Sequence, residues 1–149
     1  MNKNSAGGEN DIQKVINAGC RILSYASNTE KQLRVKLKKH GFSPELIDEA
    51  VEYFKEKRYI DDEAYVERAA EYFAGKKKFG VKRIKTELMK MGFSSEHISN
   101  VSFDEIDFIG NCGELLLKRG GRPDEKTIAA LMRHGYSLSE IKTAYKQLK

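Results

Sequence analysis

The chain has 149 residues, of which 40% are hydrophobic and 33% are charged, and its formal net charge is +5. No apolar run approaches the roughly 20 residues that a membrane-spanning helix requires. The sequence therefore predicts a water-soluble, cytoplasmic protein that forms one domain or a short array of small units.

The N-terminal end of the sequence predicts a tail followed by a helix. Residues 1–11 lack the apolar core of a secretory signal, so we expect a flexible tail. Helical periodicity starts next, with a first helix predicted over 12–26, and no alternating run predicts a strand. Cys20 and Cys112 show no spacing typical of a disulfide or a metal site, so we expect two reduced, mostly buried thiols.

A short motif then occurs three times, as KHGFSPELI, KMGFSSEHI and RHGYSLSEI. The glycine favours the positive φ that ends many helices, and the serine two residues later is a natural N-cap for the next helix. Each copy therefore predicts a helix, a tight Gly turn and a second helix. The recurring positions are Leu37, Gly41, Phe42, Ser43 and Ile47 in copy 1, Leu88, Gly92, Phe93, Ser94 and Ile98 in copy 2, and Leu131, Gly135, Tyr136, Ser137 and Ile141 in copy 3.

Two further helix starts can be predicted from capping residues. Thr29 is the expected N-cap of the helix that begins copy 1, and Asp61 or Asp62 is the expected cap of the following helix. Asp61, Asp62 and Glu63 also suggest a metal site, but three adjacent acids point in different directions around a helix. A helix start is therefore the favoured interpretation.

Each copy is preceded by one more helix, which gives the chain a repeating organisation. Helices predicted over 62–75 and 104–118 precede copies 2 and 3. The sequence thus predicts an all-α fold of three tandem three-helix repeats at 12–60, 61–102 and 103–149. In such arrays each unit packs mainly on its neighbours, and we expect an elongated, curved shape.

Charge is distributed in blocks along this array. Residues 61–75 carry five acids and one base, and residues 92–117 carry five acids and no base. Residues 76–91 hold seven bases and one acid, and residues 118–149 hold eight bases and three acids. Alternating blocks of this kind can form a basic groove with acidic flanks, although a solvated helix face explains any single block equally well.

The sequence contains little that points to catalysis. It has no phosphate-binding loop, no GxSxG and no HExxH, so we expect no enzyme, no catalytic residue, no metal and no cofactor. His40 and His134 stand just before the motif glycine, where copy 2 has Met91, and this favours a helix-end role over a general base. His97 is expected to be exposed.

The strongest binding feature is a basic row in copy 2. On a helical wheel of 80–91, Arg83 and Lys90 lie nearly opposite the apolar stripe, with Lys82 between them. Such rows contact phosphates or acidic protein surfaces without reading bases. A helix-turn-helix mode of DNA binding is disfavoured, because the second helices of copies 1 and 2 begin with acids that would repel phosphate.

A similar row occurs in copy 1, where Lys31, Arg34 and Lys38 share one helix face. Together with the neighbouring basic blocks, these rows give the predicted binding residues: Lys76, Lys77, Lys78, Lys82, Arg83, Lys85, Lys90, Lys31, Arg34, Lys38, Arg119 and Arg122.

The middle of the chain resembles a known family. The sequence YIDDEAY at 59–65, with the G-x-x-R-I-x-x-E-L run at 80–88, is similar to the RecX family of bacterial RecA regulators, and the resemblance covers about 12–148. It implies a protein without an active site that binds RecA–DNA filaments and restrains recombinase, ATPase and coprotease activity in DNA repair, recombination and the SOS response. It places the family's basic positions on Arg83, with Lys82 and Lys85.

The resemblance implies the RecA nucleoprotein filament as partner, with direct contact to single- or double-stranded DNA left open, no membrane, and a monomeric state. Two departures stand out. SYASNTEKQL replaces an Arg-rich linker, which puts DNA contact by the first repeat in doubt, and Thr127 stands where Leu33 and Ile84 stand, which suggests an end cap. The residues alone also allow a freestanding nucleic-acid-binding protein without sequence preference, or a helical adaptor for a peptide.

Overall fold

The described part of the chain is entirely helical. A computed structural model describes residues 9–149, with side chains from residue 11 onward, and within these residues it contains nine helices and no strand. This confirms the predicted all-α class. The helices are α1 (Glu9–Tyr25), α2 (Glu30–Lys39), α3 (Pro44–Glu56), α4 (Asp62–Gly75), α5 (Val81–Met91), α6 (Ser95–Ser99), α7 (Phe108–Lys118), α8 (Glu125–Arg133) and α9 (Leu138–Leu148).

Three helix starts can be compared with the predictions. Helix α4 has the predicted bounds, and the Asp61 side chain caps it by accepting from the Ala64 backbone N–H at 3.2 Å. Helix α1 begins three residues earlier than predicted, while residues 1–8 of the predicted tail lie outside the described residues. Helix α7 begins at Phe108 rather than at 104, because Asp107 caps it by accepting from Gly110 N–H at 2.9 Å.

The Gly turns form as the repeated motif predicts. Gly41, Gly92 and Gly135 have φ values of +92°, +99° and +112°, which only glycine adopts without strain. Ser43 and Ser137 cap the helices that follow. The cap predicted at Ser94 stays a prediction.

Two details of these turns extend the prediction. Glu140 completes a capping box with Ser137, so copy 3 also has an acid in its first turn, which the motif comparison missed. His40 and His134 are the C-cap residues of α2 and α8, as their position before the glycine predicts. The prediction of an exposed His97 is wrong, because its side chain is half-buried.

The chain divides into two compact units. The first comprises Met1–Tyr65 and Met91–Ser94, and the second comprises Val66–Lys90 and Ser95–Lys149. The copy 2 turn therefore belongs to the first unit, whereas the helix before it belongs to the second. These bounds differ from the three predicted repeats, and that division stays a prediction.

The core of the first unit lies between α1, α2 and α3. Val15, Leu33, Leu37 and Phe54 are fully buried there, as helical periodicity predicts. Gly19 of α1 faces the Phe54 ring, where a Cβ would not fit. The next residue on this helix points away from the core, and this explains why the prediction of a mostly buried Cys20 is wrong and its thiol is exposed.

The start of α2 also contacts the copy 2 turn. The Thr29 hydroxyl donates to the Met91 carbonyl at 2.7 Å, while Thr29 forms a capping box with Gln32. A Cβ added at Gly92 would lie 2.8 Å from the Lys31 Cβ. Thr29 therefore both caps α2, as predicted, and attaches that helix to a turn distant in sequence.

The core of the second unit contains Cys112, Leu116, Leu131, Tyr136 and Ile141. Cys112 is fully buried, as predicted, and this burial together with the Glu140 charge raises the pKa of its thiol to about 11. No helix of the described residues is long and apolar enough to cross a bilayer.

Candidate binding surface

Helix α5 presents the exposed part of the predicted basic row. Ile84 and Leu88 are fully buried and therefore fix the orientation of the helix, which leaves Lys82 and Lys85 exposed. Neither lysine has an ion pair among the residues that the structure describes. These two side chains are available to an anionic partner.

Lys82 and Lys85 line one groove together with Glu140 and with apolar residues of copy 3. The groove has a volume of about 530 Å³, and Met132 and Leu138, which also line it, are 48% and 42% exposed. Tyr136 contributes the buried part of the lining. Two lysines beside exposed apolar side chains suit a protein surface that carries both acids and apolar groups.

Arg83 has a different environment from the two lysines. Its Nε lies 3.0 Å from the Glu87 carboxylate, and its Nη1 donates to the Arg133 carbonyl at 3.2 Å. The guanidinium carbon also lies 4.3 Å from the centroid of the Phe79 ring. Arg83 therefore holds α5 against the copy 3 turn. Its prediction as a binding residue stays untested, but these contacts compete with a partner.

Lys90 joins the same ion-pair group. Its Nζ lies 3.4 Å from the Glu87 carboxylate. The hydrogen bond from Arg83, helped by the Lys90 charge, lowers the pKa of Glu87 although slight burial acts in the opposite direction. The positive charge of Arg83 and Lys90 is thus partly neutralised by one acid.

The predicted lysines at 76–78 lie in the segment between α4 and α5, which we call the connector (residues 76–80). Lys76 and Lys77 are exposed, whereas the Lys78 Nζ lies 3.3 Å from the Glu114 carboxylate and 3.5 Å from Asn111 Oδ1. Two of the three side chains are therefore free to bind an anion.

The backbone of the connector is bound to copy 3. His134 Nε2 donates to the Lys77 carbonyl at 2.8 Å, and the Tyr136 hydroxyl donates to the Lys78 carbonyl at 2.5 Å. The Phe79 ring packs edge-on against His134 with centroids 4.8 Å apart. Burial of the Tyr136 hydroxyl, with nearby negative groups, raises its pKa.

These docking residues were missed by the sequence reasoning. The position of His134 predicts a helix-end residue, which it is, but His134 and Tyr136 also each bind a carbonyl of the connector. A usable signal exists in the sequence, because the same histidine occurs at the equivalent position of copy 1, His40. Only the structure shows which segment meets it.

The basic row of the first unit is partly neutralised. Arg34 lies 2.9 Å from Glu30 and 2.6 Å from Asp48, and Lys55 lies 2.9 Å from Glu30. Partial burial raises the pKa of Glu30, but the hydrogen bonds and charges of Lys55 and Arg34 outweigh it, so the pKa is lowered. Lys38 is exposed.

The last two predicted residues lie at the junction of α7 and α8. Arg119 is the C-cap residue of α7, and both Arg119 and Arg122 are exposed. The predicted residues that the second unit brings into one groove are thus Lys82 and Lys85, whereas Arg83, Lys90 and Lys78 have intramolecular partners.

The fold and this surface are those of a binding protein rather than of any more specific class. An all-helical chain with three helix–Gly turn–helix copies and exposed lysines beside an apolar groove has the features of a binding protein. The family model for the first three-helix domain of RecX matches residues 9–54. The regulatory protein RecX of Caldanaerobacter subterraneus subsp. tengcongensis is 43% identical over 94 residues, which are 61% of this chain and 46% of that protein.

Other relatives match over most of the chain. The regulatory protein RecX of Cronobacter sakazakii is 25% identical, with 91% of this chain and 93% of that protein covered. The crystal structure of RecX from Lactobacillus salivarius has a TM-score of 0.81 at 23% identity, with 93% of this chain and 97% of that chain covered, and it supports the fold. The chain is thus similar to RecX proteins, to their first three-helix domain over residues 9–54 and to whole relatives over most of its length. Relatives of this family are named regulatory proteins rather than enzymes.

Proposed function

We propose that this chain is a regulator of the RecA recombinase that binds the RecA–DNA filament and restrains its activity. The observation that carries the proposal is the match to regulatory RecX proteins along nearly the whole chain. The proposal includes a monomeric, cytoplasmic protein without catalytic activity that acts in DNA repair, recombination and the SOS response.

The groove with Lys82 and Lys85 is the proposed contact surface. Both lysines are exposed, and the apolar side chains of Met132 and Leu138 beside them are partly exposed as well. An acidic protein surface would satisfy the charges and cover the apolar groups, whereas a bare phosphate backbone would satisfy only the charges. This favours contact with the RecA protein of the filament.

Repetition supplies a further argument. We propose three repeats at 12–60, 61–102 and 103–149, which would meet successive protomers of a periodic filament. Several weak contacts then combine through effective concentration, so no single contact needs to be strong.

The test is a titration of the full chain into RecA, single-stranded DNA and ATP, with ATP hydrolysis and strand exchange followed together. Both are expected to fall at micromolar concentrations of the chain. No change in either would contradict the proposal. Binding to bare DNA with a steep salt dependence and no effect on RecA would instead favour a freestanding nucleic-acid-binding protein.

A charge-reversal pair tests the surface. Lys82→Glu with Lys85→Glu is expected to weaken inhibition at least about tenfold, since each lysine would be replaced by a repelling charge. Arg83 is left in place because it holds the copy 3 turn. The matched control is Lys142→Glu with Lys146→Glu, two exposed lysines of α9. Equal inhibition by both variants would mean that the contact lies elsewhere.

A further inference from the structure

The α1–α3 and α7–α9 segments are two versions of one three-helix unit. The number of residues between the motif of copy 1 and the motif of copy 3 also separates Gly19 from Gly113 and Phe54 from Leu148. The two segments therefore align without a gap. In both segments this glycine faces that side chain: Gly19 faces the Phe54 ring, and a Cβ at Gly113 would lie 3.7 Å from Leu148 Cδ2. The two segments can therefore be compared position by position.

In the α7–α9 segment, the connector and the end of α4 fill a groove between α7 and the Gly turn of copy 3. We call this groove, which contains Asn111, His134 and Tyr136, the α7 groove. The Asn111 amide donates to the Ala74 carbonyl at 3.3 Å, and His134 and Tyr136 bind the two carbonyls described above. Phe79 anchors this segment, since its ring is only 8% exposed. The α7 groove thus binds the C-terminal end of α4 and the turn that follows it, in which Lys78 has a φ of +57°, through three side-chain donors.

The corresponding place in the α1–α3 segment is open. The α1 groove has a volume of about 500 Å³, and its lining includes Lys14, Asn17, Arg21, Tyr25, His40 and Phe42. Tyr25 is 87% exposed. No described segment of the first unit occupies the position that the connector takes in the second.

Two of the three carbonyl-binding side chains are retained in the α1 groove. Asn17 is equivalent to Asn111, and His40 is equivalent to His134, while Phe42 replaces Tyr136 and keeps the ring without the hydroxyl. Gln13 donates to Asn17 Oδ1 at 2.9 Å, which leaves the protons on Asn17 Nδ2 as donors. The α1 groove therefore keeps the means to bind a peptide backbone.

The charge of the two grooves differs in sign. Glu114, which pairs with Lys78 in the filled groove, is replaced by Cys20 in α1. Lys14 and Arg21 stand where α7 has Phe108 and Leu115. Neither cation has an ion pair among the residues that the structure describes.

We propose that the α1 groove is a docking site for an acidic turn segment of a partner protein, of the kind that follows a helix, with an aromatic side chain in the place of Phe79. The α7 groove shows how such a backbone is bound, and the replaced charges select acids where the connector has lysines. The connector of a second copy would fit poorly, because it carries Lys76–Lys78, and so would the segment with Arg119 and Arg122. The proposal does not depend on the proposed function.

The probe is the peptide AGEEEFG, which is the sequence of residues 74–80 with its three lysines replaced by glutamate and with blocked ends. It is titrated into the full chain, and amide shifts are followed by NMR. We expect saturable shifts confined to α1 and to residues 40–42. The unaltered peptide AGKKKFG, used at the same concentrations, is expected to bind at least about tenfold more weakly because Lys14 and Arg21 repel it.

A variant with reversed charges in the α1 groove distinguishes a changed peptide preference from a loss of folding. Lys14→Glu with Arg21→Glu is expected to exchange the preference, so that AGKKKFG binds and AGEEEFG does not. A misfolded protein would lose both. The matched control is the Lys142→Glu, Lys146→Glu variant, which should keep the original preference.

Three results would overturn the proposal. The first is the absence of shifts in the α1 groove with AGEEEFG at millimolar concentration. The second is a preference that the charge reversal leaves unchanged. The third is that an oligothymidylate shifts the α1 groove residues while the acidic peptide does not, since the groove would then bind nucleic acid.

Discussion

The α7 groove and the α1 groove are formed by residues at equivalent positions, but only the α7 groove contains a described segment of the chain. In the second unit Asn111, His134 and Tyr136 bind a segment of the chain itself. In the first unit Asn17 and His40 occupy the equivalent positions and line an open groove. The comparison teaches that a docking surface in a repeating protein can be recognised by an internal contact that is present in one unit and lacking in another.

The largest expected effect concerns the anchor of the filled groove. Phe79→Ala should lower the free energy of unfolding by about 3 kcal/mol, because it removes a buried ring that packs on Phe73, Arg83 and His134. Tyr25→Ala, in the open groove, should change it by no more than about 0.5 kcal/mol. Urea denaturation followed by circular dichroism measures both.

Equal losses in the free energy of unfolding for these two variants would contradict the difference between the two grooves. They would mean that Tyr25 packs in the α1 groove as Phe79 packs in the α7 groove, although 87% of its surface is exposed.

The second contrast concerns two glycines with the same backbone conformation. Gly41→Ala should lower the free energy of unfolding by about 1 kcal/mol, which is the strain of a positive φ with open space around the new Cβ. Gly135→Ala should lower it by about 2–3 kcal/mol, because its Cβ would also lie 2.6 Å from the Arg83 Cβ and 2.8 Å from the Gly80 carbonyl oxygen.

The difference in the free energy of unfolding between the two glycine variants measures the steric clash at Gly135, since the strain of positive φ is common to both. A difference below about 0.5 kcal/mol would show that the start of α5 moves away from the copy 3 turn without loss.

The third contrast concerns the hydroxyl group that Tyr136 has and Phe42 lacks. Tyr136→Phe should lower the free energy of unfolding by about 1–2 kcal/mol, because the Lys78 carbonyl loses the hydrogen bond from the Tyr136 hydroxyl. Phe42→Tyr, the reverse change in the open groove, should be within about 0.5 kcal/mol of the original chain. If Tyr136→Phe were neutral, water would be able to replace the hydroxyl and the connector would be less closely bound than described.

The smallest effect is the pH dependence of the first unit. The pKa of Glu30 is lowered in the folded chain, so its contribution to stability is present above the unfolded pKa and is lost as pH falls through the folded pKa. The carboxyl is 28% exposed, and solvent screening limits this loss to about 1 kcal/mol or less. Glu30→Gln should flatten the stability profile below about pH 5.

The control for this profile is Glu49→Gln, which changes an exposed acid of α3 that has no ion pair among the described residues. An identical flattening by this variant would assign the effect to net charge rather than to the Glu30 ion pairs.

Local features of the fold could be predicted from the sequence. Positive φ at Gly41, the Ser43 cap and burial of Ile47 depend on neighbours within one turn of chain, and the structure confirms all three. Exposure of Cys20 could not be predicted in the same way, because it depends on which face of α1 meets α3.

The candidate site was less predictable for the same reason. The helical wheel placed Lys82 and Lys90 away from the apolar stripe, and both are exposed as expected. It could not show that Arg83 meets Arg133 and Phe79, because that contact joins segments distant in sequence. The prediction that His40 and His134 are helix-end residues is confirmed, but the bond from His134 to the Lys77 carbonyl depends on the position of the connector, which the sequence does not show.

The most direct test of the difference between the two grooves is the exchange of the imidazole Nε2 protons with water. In ¹⁵N-labelled chain, with resonances assigned from His40→Gln and His134→Gln, we expect a protected Nε2–H for His134, which donates to the Lys77 carbonyl, and a rapidly exchanging one for His40. Similar exchange at both histidines would contradict the claim that one groove is filled and the other is open.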